Sequence, residues 1–174
     1  VKAVGRILET SDGNEEVIRL FSKTLSDLSE GEMLQLQKAQ KGDTDENDYL
    51  RIIYGKTASL FEVTAVSAAI SVNASVEYVA AVRDYAVALG LAFQIKDDIL
   101  DYSGTESVGK PLGVDILEQK ITMPLLCALK NVSSQEQDRV RGLVNDIPSH
   151  PEYRDEIVSF VKQNGGIEEA QKCL

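Results

Sequence analysis

Four polar residues, Gln94, Asp97, Asp98 and Asp101, are spaced i, i+3, i+4 and i+7 within the stretch "FQIKDDILDY". On a helix this spacing sets them along one face, with Phe93, Ile95, Ile99 and Leu100 in the other directions. Carboxylates at the end of a helix stand where its dipole is negative and where cations are stabilising. Each like-charge neighbour at this spacing costs about 0.2–0.5 kcal/mol even when exposed. Two readings follow: a solvated helix end, where water and salt make that cost trivial, or a ligand set for a cation. Gln94, with Phe93 beside it, continues the face into an apolar helix, which favours a cavity. Magnesium would resolve the conflict, because it commonly uses one or two carboxylates, keeps several waters and completes its shell with substrate phosphates.

Lysines could supply the complementary charge. Lys110 and Lys120 follow the aspartates, and Lys56 stands in an otherwise small and apolar segment with Tyr54, Gly55, Ala58 and Leu60. Its ammonium either snorkels past a packed face or points into a polar cavity. Two look-alike motifs fail. "YGKT" at 54–57 has Leu50 where a phosphate-binding loop needs its first glycine, and no strand precedes it. "DTDEND" at 43–48 begins like a calcium loop, yet Asp48 stands at the glycine position and Tyr54 at that of the bidentate glutamate. The single histidine, His150, lies in the proline-bounded "PSHPEY" and reads as a surface residue.

The elements that must position these groups are helices. All four prolines fall after residue 110, so nothing earlier imposes a proline break. Residues 14–38 are predicted as one helix, capped by Asn14, with Glu15 and Glu16 at the positive end and Val17, Leu20, Phe21, Leu25 and Leu28 at helical spacing. "KGDTDEND" at 41–48 reads as a loop, followed by a helix from Asp48 to about Asn73 and a third over 75–101. "SGTESVGKPLGVD" is a long glycine-bearing loop of the kind that carries function. Shorter helices are expected over 115–119, 123–131, 134–146 and 152–163, with a stop at Gly165 and Gly166. No period-two strand is evident, so the chain is expected to be all-α, a single helical domain over 1–174.

With 174 residues, 43% hydrophobic and 26% charged, the chain has the composition of an ordinary globular domain. A net charge of −10 argues against nucleic acid as a partner, but not against small anions met by local lysines or bound cations. The most apolar run, 63–82, is broken by Asn73 and Glu77, so no transmembrane segment is expected. "VKAVGRILET" has no signal-peptide pattern. Cys127 and Cys173 suggest neither a zinc site nor a disulfide framework. The default setting is the cytoplasm.

Taken in order, "LSEGEMLQ", "YGKTASLFEVT", "GLAFQIKDDILDYSG" and "GKPLGVDILEQKITMPLL" resemble successive motifs of the trans-isoprenyl diphosphate synthases, collinearly from near residue 1 to about 131 and more weakly beyond. The aspartates match the second of that family's two aspartate-rich motifs. The resemblance implies a helical bundle around a deep apolar cavity, normally a homodimer, that joins isopentenyl diphosphate to an allylic diphosphate with Mg2+. It further implies that Asp97 and Asp101 hold the magnesium with Asp98 supporting them, all three counting as the metal set. Lys56, Lys110 and Lys120 would contact the diphosphate oxygens, and Thr57 and Gln94 would lie along the same pocket. "GKPLGVD" resembles the longer-chain members.

The first aspartate-rich motif and the basic residues for isopentenyl diphosphate are not found. The chain is accordingly expected to be the C-terminal portion of a synthase, incomplete at both ends, and inactive in isolation. The alternative is a non-catalytic subunit that tunes a complete synthase. Retention of all three aspartates and the lysines disfavours it.

Overall fold

The computed structural model describes residues 15–103 and 112–174. Nine α-helices and one π-helical turn make up these residues, and no strand occurs among them. The all-α expectation holds. In chain order they are α1 (Glu15–Lys41), α2 (Glu46–Ile53), the π turn (Tyr54–Ala58), α3 (Ser59–Ser71), α4 (Val76–Ser103), α5 (Val114–Leu117), α6 (Met123–Lys130), α7 (Ser134–Asp146), α8 (Tyr153–Gln163) and α9 (Gly166–Gln171). The predicted cap Asn14 and the loop residue Lys110 lie outside the described residues.

Two compact units emerge. One takes in the described residues up to 32 and 52–91; the other takes in 33–51 and the described residues from 92 to 174. In the first, α1 buries Val17, Thr24 and Gly31, one residue every seven, a narrow seam suited to close helix packing. Its acidic start and the lysines of its last turn, Lys38 and Lys41, both suit the helix dipole. The helix α3 buries Ser59, Val63, Val66 and Ala69 at spacings of three and four, which turns one face inward.

The core of the second unit centres on α6, where every residue from Met123 to Leu129 is buried and Pro124 sits in the first turn, the place where proline's missing N–H costs nothing. α7 contributes Val140 and Val144, and α8 contributes Ile157, Val158, Phe160 and Val161. α9 packs on α6 so closely that a Cβ on Gly166 would stand 2.3 Å from the Pro124 carbonyl oxygen.

The segment 41–48 departs from expectation. α2 begins at Glu46, two residues before the predicted start, because Asp45 caps it. The Asp48 N–H donates to Asp45 Oδ1 at 2.8 Å and the Asp45 N–H to Asp48 Oδ2 at 3.3 Å. This is a capping box closed by two aspartates. The apolar window also shifts from the run 63–82: α4 is long and apolar enough to cross a membrane by length and composition, a test that core helices of globular proteins also pass.

Candidate functional site

The predicted stripe falls on the last turns of α4, which runs unbroken to Ser103, and its members have different surroundings. Asp97 is exposed, Asp101 is half-buried and Asp98 is 3% exposed. Both oxygens of Asp98 are engaged. The Tyr49 hydroxyl donates to Oδ2 at 2.6 Å, and the Gln94 carboxamide donates to Oδ1 at 3.0 Å. Burial pushes the Asp98 carboxyl up to about 7, with Asp115 and Asp97 adding to the rise and the two hydrogen bonds opposing it. Burial next to Asp98 likewise drives the Tyr49 hydroxyl far above the ordinary tyrosine range, so this hydroxyl is a donor at any physiological pH.

Asp101 ties α4 to the short helix after the loop. Its carboxylate accepts from the N–H groups of Val114 at 3.1 Å and Asp115 at 3.2 Å, while its carbonyl accepts from the Gly113 N–H at 2.9 Å. Gly113 has a φ of 70°, a left-handed conformation natural to glycine, and this turn presents the first N–H groups of α5 to the carboxylate. Burial and the nearby Asp115 raise the Asp101 carboxyl above its usual range, and the two N–H bonds work against them. Lys120 closes the cluster, reaching Asp115 at 3.2 Å and pairing closely with Glu118. Burial works against its charge, but Glu118 and Asp115 outweigh that and raise it.

Lys56 and Thr57 belong to the other unit, on the π turn. Such wide turns insert one residue into a helix and frequently mark functional positions. Backbones meet closely here: a Cβ on Gly55 would lie 2.5 Å from the Asp27 carbonyl oxygen, and one on Gly31 would lie 3.2 Å from the Lys56 nitrogen. The Lys56 ammonium stands 3.3 Å from Glu32, half-exposed and engaged with a carboxylate, so it snorkels toward a polar partner. Tyr54 donates to Glu62 at 2.7 Å, and Arg83 pairs with the same carboxylate at 3.2 Å.

The second unit therefore brings together Gln94, Asp98, Asp101 and Lys120, and adds Tyr49 and Asp115, which sequence reasoning did not select. Tyr49 stands near the start of α2 beside Leu50, Ile52 and Ile53, a local pattern that marks it only as apolar. Its partner lies 49 residues away, beyond any local signal. Among the described residues no three His, Cys, Asp or Glu side chains converge to enclose a metal ion. The donor set instead offers the exposed Asp97 and the half-buried Asp101.

Residues 2–161 match the family model for polyprenyl synthetase. The chain belongs to the polyprenyl synthetase family. This polyprenyl synthetase chain is 36% identical over 160 residues to an all-trans-nonaprenyl-diphosphate synthase (geranyl-diphosphate specific) of Rhodobacter capsulatus, covering 91% of this chain and 48% of the relative. A crystal structure of a decaprenyl diphosphate synthase from the same organism superposes with a TM-score of 0.80 at 35% identity, covering 94% of this chain and 50% of that one. A polyprenyl synthase from Caulobacter crescentus CB15, complexed with calcium and isoprenyl diphosphate, gives 0.77 at 30% identity, over 94% and 50%. The chain spans about half the length of the curated relatives it matches.

Proposed function

We propose that the protein carrying this chain is a prenyltransferase that condenses isopentenyl diphosphate with an allylic diphosphate, and that its products are long. The observation that carries the reading is the end of α4, where a buried and doubly bonded Asp98 sits between an exposed Asp97 and an Asp101 anchored to α5. Solvated helix ends do not bury an acid with two dedicated donors. The names of the nonaprenyl and decaprenyl relatives support a long product. The subunit alternative finds no support among these relatives, which are named as synthases.

Asp97 and Asp101 fit magnesium of the kind that takes one or two carboxylates and shares the rest of its shell with phosphate and water, in keeping with the lack of a three-ligand enclosure among the described residues. Bound Mg2+ would supply positive charge to the diphosphate as its bond to the allylic carbon breaks. Lys120 and Lys56, now held by Asp115 and Glu118 and by Glu32, would exchange carboxylate for diphosphate oxygens. Lys110, Gln94 and Thr57 join the substrate-binding set on sequence grounds. Positive groups fixed in place stabilise the departing diphosphate most where water is excluded. The alkene of isopentenyl diphosphate then attacks the allylic cation and a proton is lost. A single domain over 1–174, a homodimer and a cytoplasmic setting belong to the same proposal.

The test is Asp97→Ala in the complete protein. Condensation should fall by about two orders of magnitude or more, with the helical circular dichroism of the wild type. Undiminished turnover would remove the aspartates from the mechanism.

A further inference from the structure

Within the aspartate stripe only Asp98 is buried, and each of its oxygens accepts a side-chain hydrogen bond, the two donors coming from different elements. Gln94 lies one turn earlier on α4, whereas Tyr49 comes from α2 and is itself 3% exposed. The base of α2 is braced: Lys38 reaches Asp48 at 2.7 Å, and Arg141 donates to the carbonyl oxygens of Gly42 at 2.8 Å and Thr44 at 3.1 Å. The tyrosine hydroxyl therefore works from a fixed origin. The end of α4 cannot rotate without breaking a 2.6 Å bond to a buried carboxylate, and a buried charge left without its donors is costly. Each Asp98 oxygen keeps a second lone pair, but with the residue 3% exposed a cation would have to enter the packed core to reach it, whereas Asp97 is exposed and Asp101 half-buried.

We propose that Tyr49 is a positioning residue for the metal and diphosphate site, and that Asp98 is the buried strut through which it acts and not itself a metal ligand. Asp97, exposed at the preceding position, and Asp101, one turn further on, are thereby held at the rotation in which they receive the cation. The assignment rests on the reading of the aspartates given above. Phenylalanine at position 49 would fill the same space but leave Asp98 Oδ2 without its donor. Asparagine at position 98 would keep the strut, since its carbonyl still accepts from Tyr49 and a turned Gln94 carboxamide can accept from its amide.

The experiment is a calorimetric titration of the complete protein with inorganic pyrophosphate at a series of magnesium concentrations, reading the magnesium needed for half-maximal binding. Asp97→Asn should raise it by more than about 100-fold, and Tyr49→Phe by about 10-fold, as for an outer partner of a metal ligand. Asp98→Asn should raise it far less than either, and in an Asp98→Ala background Tyr49→Phe should add less than about twofold. An Asp98→Asn loss equal to that of Asp97→Asn would make Asp98 a ligand and overturn the assignment. Wild-type magnesium dependence in Tyr49→Phe would overturn it as well. A silent Asp97→Asn would mark a different failure, that of the aspartate reading beneath it, and would take the assignment with it. Should Tyr49→Phe fail to fold, by circular dichroism, the comparison of the two asparagine variants decides.

Discussion

Replacing Asp98 by asparagine should stabilise the metal-free protein at alkaline pH and leave it nearly unchanged in mild acid. Folding lifts this carboxyl from the ordinary aspartate value of about 3.9 to about 7, chiefly through burial. The folded state thus binds its proton more tightly than the unfolded state does. The associated stability is fully present below about pH 4 and is lost as the pH rises through about 7. At 1.36 kcal/mol per pH unit the full interval corresponds to about 4 kcal/mol, an upper bound, since the buried carboxylate relaxes with its donors. The groups facing it are Tyr49 and Gln94, which favour the charged form, and Asp115 and Asp97, which oppose it. Thermal unfolding in the presence of a chelator, at half-unit steps from pH 4.5 to 8, should show the variant and wild type converging at the acid end. The variant should lead by about 2–4 kcal/mol at the other end. Asp101 titrates upward for related reasons, but it is present in both proteins and cancels in the difference. A constant gap across the range, or a wild type that gains on the variant as the pH rises, would refute the argument that burial governs this carboxyl.

Gly55→Ala should cost about 1–3 kcal/mol in thermal unfolding, because the added methyl would meet the Asp27 carbonyl oxygen at 2.5 Å and force α1 from the π turn. An unchanged melting temperature would show that this backbone meeting is not tight. Glu32→Gln removes the carboxylate 3.3 Å from Lys56; as the pair is partly solvated and worth about 1 kcal/mol or less, pyrophosphate affinity with magnesium should rise by about two- to fivefold. A fall in affinity would assign Glu32 a direct part in binding.

Much of the frame was legible because it is local. The dipole-matched charges of α1, the proline-free stretch before residue 110 and the i, i+3, i+4, i+7 stripe on α4 all arise from neighbours within a turn or two. The start of α2 was misjudged by two residues for an instructive reason. A run of acids reads as loop, whereas Asp45 and Asp48 serve as reciprocal caps, so the same polarity that suggests solvent in fact begins the helix. The π turn under Lys56 leaves no pattern in the sequence, and the close approach of Gly31 and Gly55 beside it joins residues 24 positions apart.

The candidate site divides along the same line. Residue types and spacing are enough to place three acids on one face, but not to say that adjacent residues Asp97 and Asp98 have opposite fates. A step of one residue turns a helix by about 100°, so one acid enters solvent and the other enters the core. Which of them is buried depends on what lies across from α4, and there stands Tyr49, a residue whose local pattern identifies it only as apolar. A phenylalanine would satisfy that pattern equally well. The hydroxyl is therefore the informative atom: it is what reaches Asp98. A buried donor and a buried acid meeting at 2.6 Å fix the rotation of this turn of α4, and in the proposed site that rotation sets how the neighbouring Asp97 and Asp101 face a cation.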